Sequence, residues 1–328
     1  MSWKVRRASA KCFDAFIVSS ITNKYLESVG SLLIQRTRER EESVLIEVLL
    51  SLRNLIKRLG RHQALNQLDQ ESFVASSLRL LKSSKTKIVQ NTILNLSAVC
   101  EADASFLSKS LDRIVAPISQ LMSKTEETSI RLDIVNFCAA VSANAENCSD
   151  QILNVLERGI SDSFYKIVSE SFRVLAKLVE KGAKPTKTIN ELILEKLRVS
   201  DIDQEVKDAV IGCAGIFCSK NELSADQQEQ AVAVLFKHMG NEITRQAAVK
   251  SLQTAMENPA SAKFVTRASA QEVGTLASFL RKNHRLLRVS TLNLVSSLIQ
   301  NGLQKCDEIL VELPLLINDQ GLVITFDR

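Results

Sequence analysis

The sequence has few of the residues that interrupt a folded chain, with 10 glycines and 4 prolines among 328 residues. No stretch rich in glycine, serine or proline marks a flexible linker. Aromatic residues make up only 5% of the chain, whereas hydrophobic residues make up 45%, so aliphatic and small side chains must fill the core. This composition favours helices packed on helices. We therefore expect one continuous array over residues 1–328.

Catalytic and metal-binding patterns are also lacking. The histidines, His62, His238 and His284, are far apart, and none has a cysteine or histidine at a metal-ligand spacing. No phosphate-binding glycine loop, G-x-S-x-G or H-E-x-x-H occurs. The numerous carboxylates form no pattern that assigns a catalytic role. We therefore expect no enzyme activity, no catalytic residue, no metal or cofactor, and no small-molecule substrate.

The cysteines and the absence of long apolar runs bear on the environment of the chain. Seven cysteines occur, an odd number, mostly in apolar helical stretches: Cys12, Cys100, Cys138, Cys148, Cys213, Cys218 and Cys306. They are expected to be reduced packing residues. No apolar run reaches the roughly 18–20 residues that cross a bilayer, and the first residues lack an apolar signal core. We expect a soluble intracellular protein without a membrane partner.

A pattern recurs along the chain at intervals of 38 to 45 residues. Eight residues mark its register: Val5, Val44, Val89, Ile130, Val168, Val206, Thr244 and Leu287. A helix-pair repeat of roughly 40–47 residues is the signature of HEAT and armadillo arrays. The interval therefore predicts an all-α fold, a HEAT/armadillo-type α-solenoid superhelix of antiparallel helix pairs with about eight repeats.

Each mark opens an apolar stripe of helical period, at i, i+3, i+4, i+7, i+8 and i+11. The stripe is clearest from Val206 to Phe217 and recurs from Val5 to Phe16. We expect the stripe that contains Ala209 to be buried. The residue at i+3 is usually small, as at Ala209, which should let neighbouring repeats approach closely.

The starts of the predicted helices carry capping and charge patterns. Ser224 to Gln227 and Ser269 to Glu272 match the capping box. A basic residue follows five of the eight marks: Arg6, Arg131, Lys207, Arg245 and Arg288. Acidic residues lie just before several marks, as do Asp162, Asp201 and Glu242. Two interpretations stay open, a ladder of ion pairs between turns, or solvated helix ends whose pairs contribute about 0–1 kcal/mol.

Both ends of the sequence fall inside a repeat. Residues 1–18 match a second helix without its first, and few residues follow the last helical pattern at 304–318. We therefore expect an array that is incomplete at both ends, as in a fragment. Val5 with Phe13, and Leu310 with Leu313, should expose apolar faces that favour self-association.

Three basic clusters, at 35–40, 82–87 and 281–285, could line a phosphate-binding groove. Acidic residues adjoin the first cluster, however, and aromatic residues that could stack on bases are missing. We favour solvated surfaces, or patches that face an acidic protein, over direct nucleic-acid binding.

Four segments resemble a known family in collinear order. Residues 2–12 resemble a segment of the cullin-associated, neddylation-dissociated family most specifically, and three later segments do so more weakly: 38–42, 241–245 and 276–283. The resemblance covers essentially the whole chain and implies an internal part of a longer HEAT-repeat protein. No functional residue can be transferred, because the family's cullin-gripping and adaptor-blocking regions lie outside the matching part.

The resemblance implies a non-catalytic scaffold that binds unneddylated cullin. Such a scaffold regulates assembly and substrate-receptor exchange of cullin–RING ubiquitin ligases, in cytoplasm and nucleus. The expected partner is a cullin–RING complex, with the TATA-binding protein as a further one. The alternative is a HEAT scaffold of another class, of the phosphatase-subunit or nuclear-transport kind, since fold alone does not fix function.

Overall fold

The computed structural model describes residues 2–19, 25–144, 150–200, 202–303 and 306–317. In this part of the chain there are seventeen α-helices and no β-strand. The helices are α1 Trp3–Val18, α2 Leu26–Arg36, α3 Glu42–Arg61, α4 Gln70–Leu80, α5 Thr86–Ala102, α6 Leu111–Lys124, α7 Thr128–Asn144, α8 Asp150–Ile160, α9 Tyr165–Glu180, α10 Lys187–Arg198, α11 Gln204–Ser219, α12 Ala225–Met239, α13 Arg245–Ala255, α14 Pro259–Val265, α15 Ala270–Leu280, α16 Arg285–Gln300 and α17 Asp307–Ile317. Two 3-10 helices lie at Leu65–Gln67 and Ala104–Ser110.

The register marks predict the helices well. Seven of the eight lie inside a helix, and Thr244 is the residue that directly precedes α13. The marks fall on α1, α3, α5, α7, α9, α11, α13 and α16, and the other helices lie between them. The predicted α-solenoid of antiparallel helix pairs is confirmed.

The chain divides into two compact units, unit 1 (Met1–Val174) and unit 2 (Leu175–Arg328). In unit 1, α1, α3, α5 and α7 stack in order, while α2, α4, α6 and α8 form a second layer. In unit 2, α11, α13 and α16 stack in the same way, and α10, α12 and α14 pack beside them. Whether residues 1–328 form one continuous array stays a prediction.

One repeat of unit 2 contains an additional helix. After α13 the chain forms α14, seven residues capped by Asn258 and begun by Pro259. Helix α14 packs against α12 and α13, whereas α15 packs against α16 and α17. The first-helix position of this repeat is therefore divided between two short helices, and the interval from Thr244 to Leu287 is correspondingly long.

Both predicted capping boxes form, at Ser224 with Gln227 and at Ser269 with Glu272. In each, the serine hydroxyl accepts from the backbone N–H three residues on, and that residue's side chain accepts from the serine N–H. These reciprocal bonds satisfy amides that a helix start leaves free.

Small residues mark the closest approaches between helices. Ala209 is buried, as predicted. A Cβ on Gly215 would lie 2.8 Å from both Cα and O of Ser251, so α11 and α13 touch there backbone to backbone. Gly159 lies in the last turn of α8, where a Cβ would collide with Ser171 Oγ.

The stripe at the start of the chain is not part of the core. Val5, Ala8, Ser9 and Cys12 are exposed, and Phe13 is only half-buried. A helical stripe becomes core only where another helix covers it, and among the described residues none covers this face of α1.

Candidate protein-binding surfaces

The first two basic clusters lie on adjacent turns of unit 1, which join first helices to second helices. The structure links these turns directly. Arg79 Nη2 donates to the carbonyl oxygen of Thr37 at 2.9 Å, and Lys85 Nζ lies 3.5 Å from Glu42 Oε2. The acidic side chains of residues 39–42 are interspersed with the basic ones, so this edge presents both signs of charge. It therefore has no continuous positive surface.

The ion-pair ladder forms in part, and it connects successive repeats. Arg6 pairs with Glu39 at 2.8 Å and Arg131 with Asp162 at 2.7 Å, each from the start of a second helix to the next repeat's turn. Hydrogen bonding from Arg6 lowers the pKa of the Glu39 carboxyl. Glu242 lies 3.8 Å from Arg245 within one turn. Asp201 lies outside the described residues.

A polar seam runs between the stacked second helices of unit 1. Arg53 donates from Nη2 to Asn91 Oδ1 at 2.7 Å and from Nε to Asn95 Oδ1 at 3.1 Å. One helix further on, Gln90 Nε2 donates to Asp133 Oδ2 at 2.8 Å. Burial lowers the pKa of Arg53 and raises that of Asp133. The seam fixes the register of the stack rather than offering a site to a ligand.

Two histidines and two cysteines have structural positions, whereas Cys12 is exposed and so is not a packing residue. His284 Nδ1 accepts from the Leu287 N–H at the start of α16, and His238 Nε2 lies 3.0 Å from the Leu197 carbonyl oxygen. Burial raises the pKa of the Cys100 and Cys218 thiols to about 12. These thiols are therefore protonated at neutral pH. Cys148 lies outside the described residues.

Within the described part of the chain, no three histidine, cysteine or carboxylate side chains are grouped as metal ligands would be. No helix there is both long and apolar enough to span a bilayer.

An apolar groove lies between α1 and α2 in unit 1. It has a volume of about 940 Å³ and is lined by side chains that include Val5, Cys12, Phe13 and Phe16. The predicted exposure of Val5 is confirmed, and Leu310 on α17 is exposed as well. Phe13 and Leu313 are half-buried. Self-association through these faces stays a prediction.

A set of exposed apolar residues was missed by the sequence analysis. Besides Val5, four large exposed hydrophobic side chains lie within two residues of the start of a second helix: Trp3, Tyr165, Ile243 and Leu286. Each precedes a register mark by one to three residues and so lies outside the apolar stripe, whose period does not show its exposure. Their common position in the repeat is the signal from which their exposure could be predicted.

The fold defines a class, an α-solenoid repeat protein. A family model described as CAND1-like, TPR repeats matches residues 105–214. An engineered protein of solved structure superposes with a TM-score of 0.66 at 14% identity, covering 91% of this chain and 76% of that one. This likeness bears on the fold alone.

Curated relatives match almost the whole chain. The cullin-associated NEDD8-dissociated protein 1 of Drosophila melanogaster is 26% identical over 98% of this chain and 29% of its own length. The protein of the same name from Arabidopsis thaliana is 30% identical over 99% of this chain and 30% of its own length. The predicted resemblance to the cullin-associated NEDD8-dissociated family is thereby confirmed. This chain spans about 30% of the length of these relatives.

Proposed function

We propose that the chain is a non-catalytic repeat scaffold that binds an unmodified cullin and contributes to the assembly and receptor exchange of cullin–RING ubiquitin ligases. The observation that carries this proposal is the collinear similarity to proteins named for cullin association over 98–99% of the chain. The α-solenoid supports it, because stacked repeats present the extended surfaces that such proteins use to hold partners.

A long scaffold of this kind holds its partner through linked contacts, each of which raises the effective concentration of the next. Because this chain spans about 30% of the relatives' length, we expect it to bind an unmodified cullin–RING complex weakly. By itself it should not release the adaptor or exchange receptors.

The test is a titration of an unmodified cullin–RING complex with this chain and with a full-length relative, in which binding and adaptor release are measured together. The same complex conjugated to NEDD8 serves as the control, and we expect weaker binding to it. The proposal fails if the chain binds neither complex. Adaptor release at the efficiency of the full-length relative would show that this part carries the exchange activity by itself.

A further inference from the structure

Two neighbouring turns of unit 2 enclose a small cleft. Residues 240–244 join α12 to α13, and residues 281–284 join α15 to α16. Together they line a cleft of about 390 Å³, with Ile243, Arg245 and Lys282 among its walls. Its volume suits side chains of a partner better than a whole helix. We call Ile243, Arg245, Lys282, Arg285 and Leu286 the basic edge.

The basic edge differs from the turns of unit 1 in its charge. Residues 241–246 and 281–288 contain five arginines and lysines and a single carboxylate, Glu242. Arg281 is engaged with the buried carboxylate of Glu312 at 2.6 Å. Lys282 and Arg285 are exposed, and neither has an acidic neighbour within its own turn. The edge therefore presents positive charge to a partner.

Arg245 is held at the cleft without complete hydrogen bonding. Its guanidinium carbon lies 5.5 Å from the centre of the Phe279 ring, and its buried Nε has no hydrogen-bond partner among the described residues. Its nearest carboxylate is that of Glu242, at 3.8 Å. A carboxylate that enters the cleft would supply acceptors for this guanidinium.

Apolar side chains stand beside these charges. Ile243 is 67% exposed and Leu286 is 61% exposed, each at the start of a second helix. Neighbouring packed helices lie about 8–10 Å apart, which sets the distance between equivalent positions of successive repeats. On an α-helix, residues i and i+7 share a face and are about 10.5 Å apart. A β-strand spans that distance in about three residues, and side chains three residues apart on a strand point to opposite faces.

We propose that the basic edge binds an acidic amphipathic helix of a protein partner. Apolar residues seven positions apart would contact Ile243 and Leu286, and flanking carboxylates would face Arg245, Lys282 and Arg285. This inference deepens the proposed function and rests on it for the premise of a protein partner. A nucleic acid fits less well, since the apolar side chains exposed at the edge, Ile243 and Leu286, are aliphatic and do not stack on bases.

The test uses the 328-residue chain and two designed, fluorescently labelled helical peptides of equal composition. One peptide has two leucines seven residues apart among glutamates, and the other has the leucines on opposite faces. Two variants alter the edge, Ile243→Ser and the pair Lys282→Glu with Arg285→Glu. The matched control combines Lys220→Glu, just after the last residue of α11, with Ile299→Ser, near the last residue of α16. Both side chains are exposed, and neither belongs to the basic edge. Circular dichroism checks that every variant is folded.

We expect the same-face peptide to bind, and each edge variant to weaken its binding by about tenfold or more, which is the loss expected for a central contact. The control variant should stay within about twofold of the unaltered chain. Equal binding of the two peptides, or equal loss in the control, would overturn the proposal. So would a single-stranded oligonucleotide that displaces the peptide and depends on the same residues. Because the peptides are not cullin-derived, failure here is distinguishable from failure of cullin binding.

Discussion

Single side chains decide how firmly successive repeats are joined. Arg131 donates to both carboxylate oxygens of Asp162, from Nε at 2.7 Å and from Nη2 at 3.3 Å. Its Nη1 also donates to the carbonyl oxygen of Glu126 at 2.8 Å. The two side chains of the pair are only 15% and 7% exposed, so water replaces little of what a substitution removes. Around exposed ion pairs elsewhere in unit 1, water can replace the contacts that a substitution removes.

We expect Arg131→Ala to lower the free energy of unfolding by about 2–3 kcal/mol, because it leaves a mostly buried carboxylate without its cation. The matched control is Arg113→Ala, whose pair with Glu71 is 57% and 77% exposed. Its loss should stay below about 1 kcal/mol. Urea denaturation of the two variants measures the difference. Equal losses would show that burial does not govern these pairs.

Asp133 provides a test that depends on pH. Burial raises the pKa of its carboxyl above the value in the unfolded chain. Ionisation therefore opposes folding, and the penalty grows as pH rises through the interval between the two pKa values and is complete above it. Asp133→Asn removes the charge and keeps an oxygen that accepts from Gln90.

We expect Asp133→Asn to stabilise the chain at pH 7 by less than about 1 kcal/mol, with a gain that shrinks as pH falls toward acid. Denaturation midpoints between pH 7.5 and 4.5 follow the trend. Asp208→Asn is the control, since Asp208 also accepts from a glutamine, Gln204 at 2.9 Å, but is exposed. A gain that increases toward acid pH would contradict the assignment.

At the scale of helices, the sequence predicts what depends on local period and capping. The apolar stripes identify the second helices, and the serine patterns identify the starts of α12 and α15. Helix α14 was not predicted, although Asn258 followed by Pro259 is a helix-start signal. Its seven residues are too short for a periodic stripe.

Burial and site geometry depend on neighbours that are distant in sequence. The exposed stripe of α1 has the same period as the buried stripe of α11, so period alone cannot separate them. The basic edge joins Ile243 to Leu286, one repeat further along the chain, and its cleft exists only once α13 and α16 are packed. The partner of Arg131 likewise lies in the next repeat's turn.

A backbone-to-backbone contact between two helices of unit 2 gives an element-scale prediction. In Gly215→Ala the new Cβ would lie 2.8 Å from backbone atoms of Ser251, which cannot rotate away. We expect a loss of about 1–3 kcal/mol from overpacking, despite the higher helix propensity of alanine. Gly212→Ala on the same helix meets no atom within 4 Å and should stabilise by about 0.5–1 kcal/mol. Thermal unfolding of the two variants measures these changes in stability. If both substitutions were stabilising, α11 and α13 would have to separate easily.

At the scale of the molecule, the groove between α1 and α2 exposes apolar side chains of both helices, and contact between such surfaces favours association. We expect the 328-residue chain to self-associate as its concentration rises. Val5→Glu, inside the groove, should weaken that association. Val18→Glu is the control, because Val18 is exposed on α1 but does not line the groove. Sedimentation of the three chains measures the effect, and an equal effect of both substitutions would exclude the groove.

The stacking of helices also determines how far a local defect spreads. In a repeat array each helix pair contacts its immediate neighbours, so stability is approximately a sum of local and nearest-neighbour contributions. Gly215→Ala should therefore accelerate amide hydrogen exchange in α11 and α13 and in α10 and α12, which contact them. Exchange in α3 and α5 should stay unchanged, since these helices belong to unit 1 and α11 belongs to unit 2. Hydrogen exchange read by mass spectrometry, with Gly212→Ala as the reference, resolves these helices separately. A uniform acceleration along the whole chain would mean that the 328 residues unfold as one cooperative body, and that the nearest-neighbour description does not apply to this solenoid.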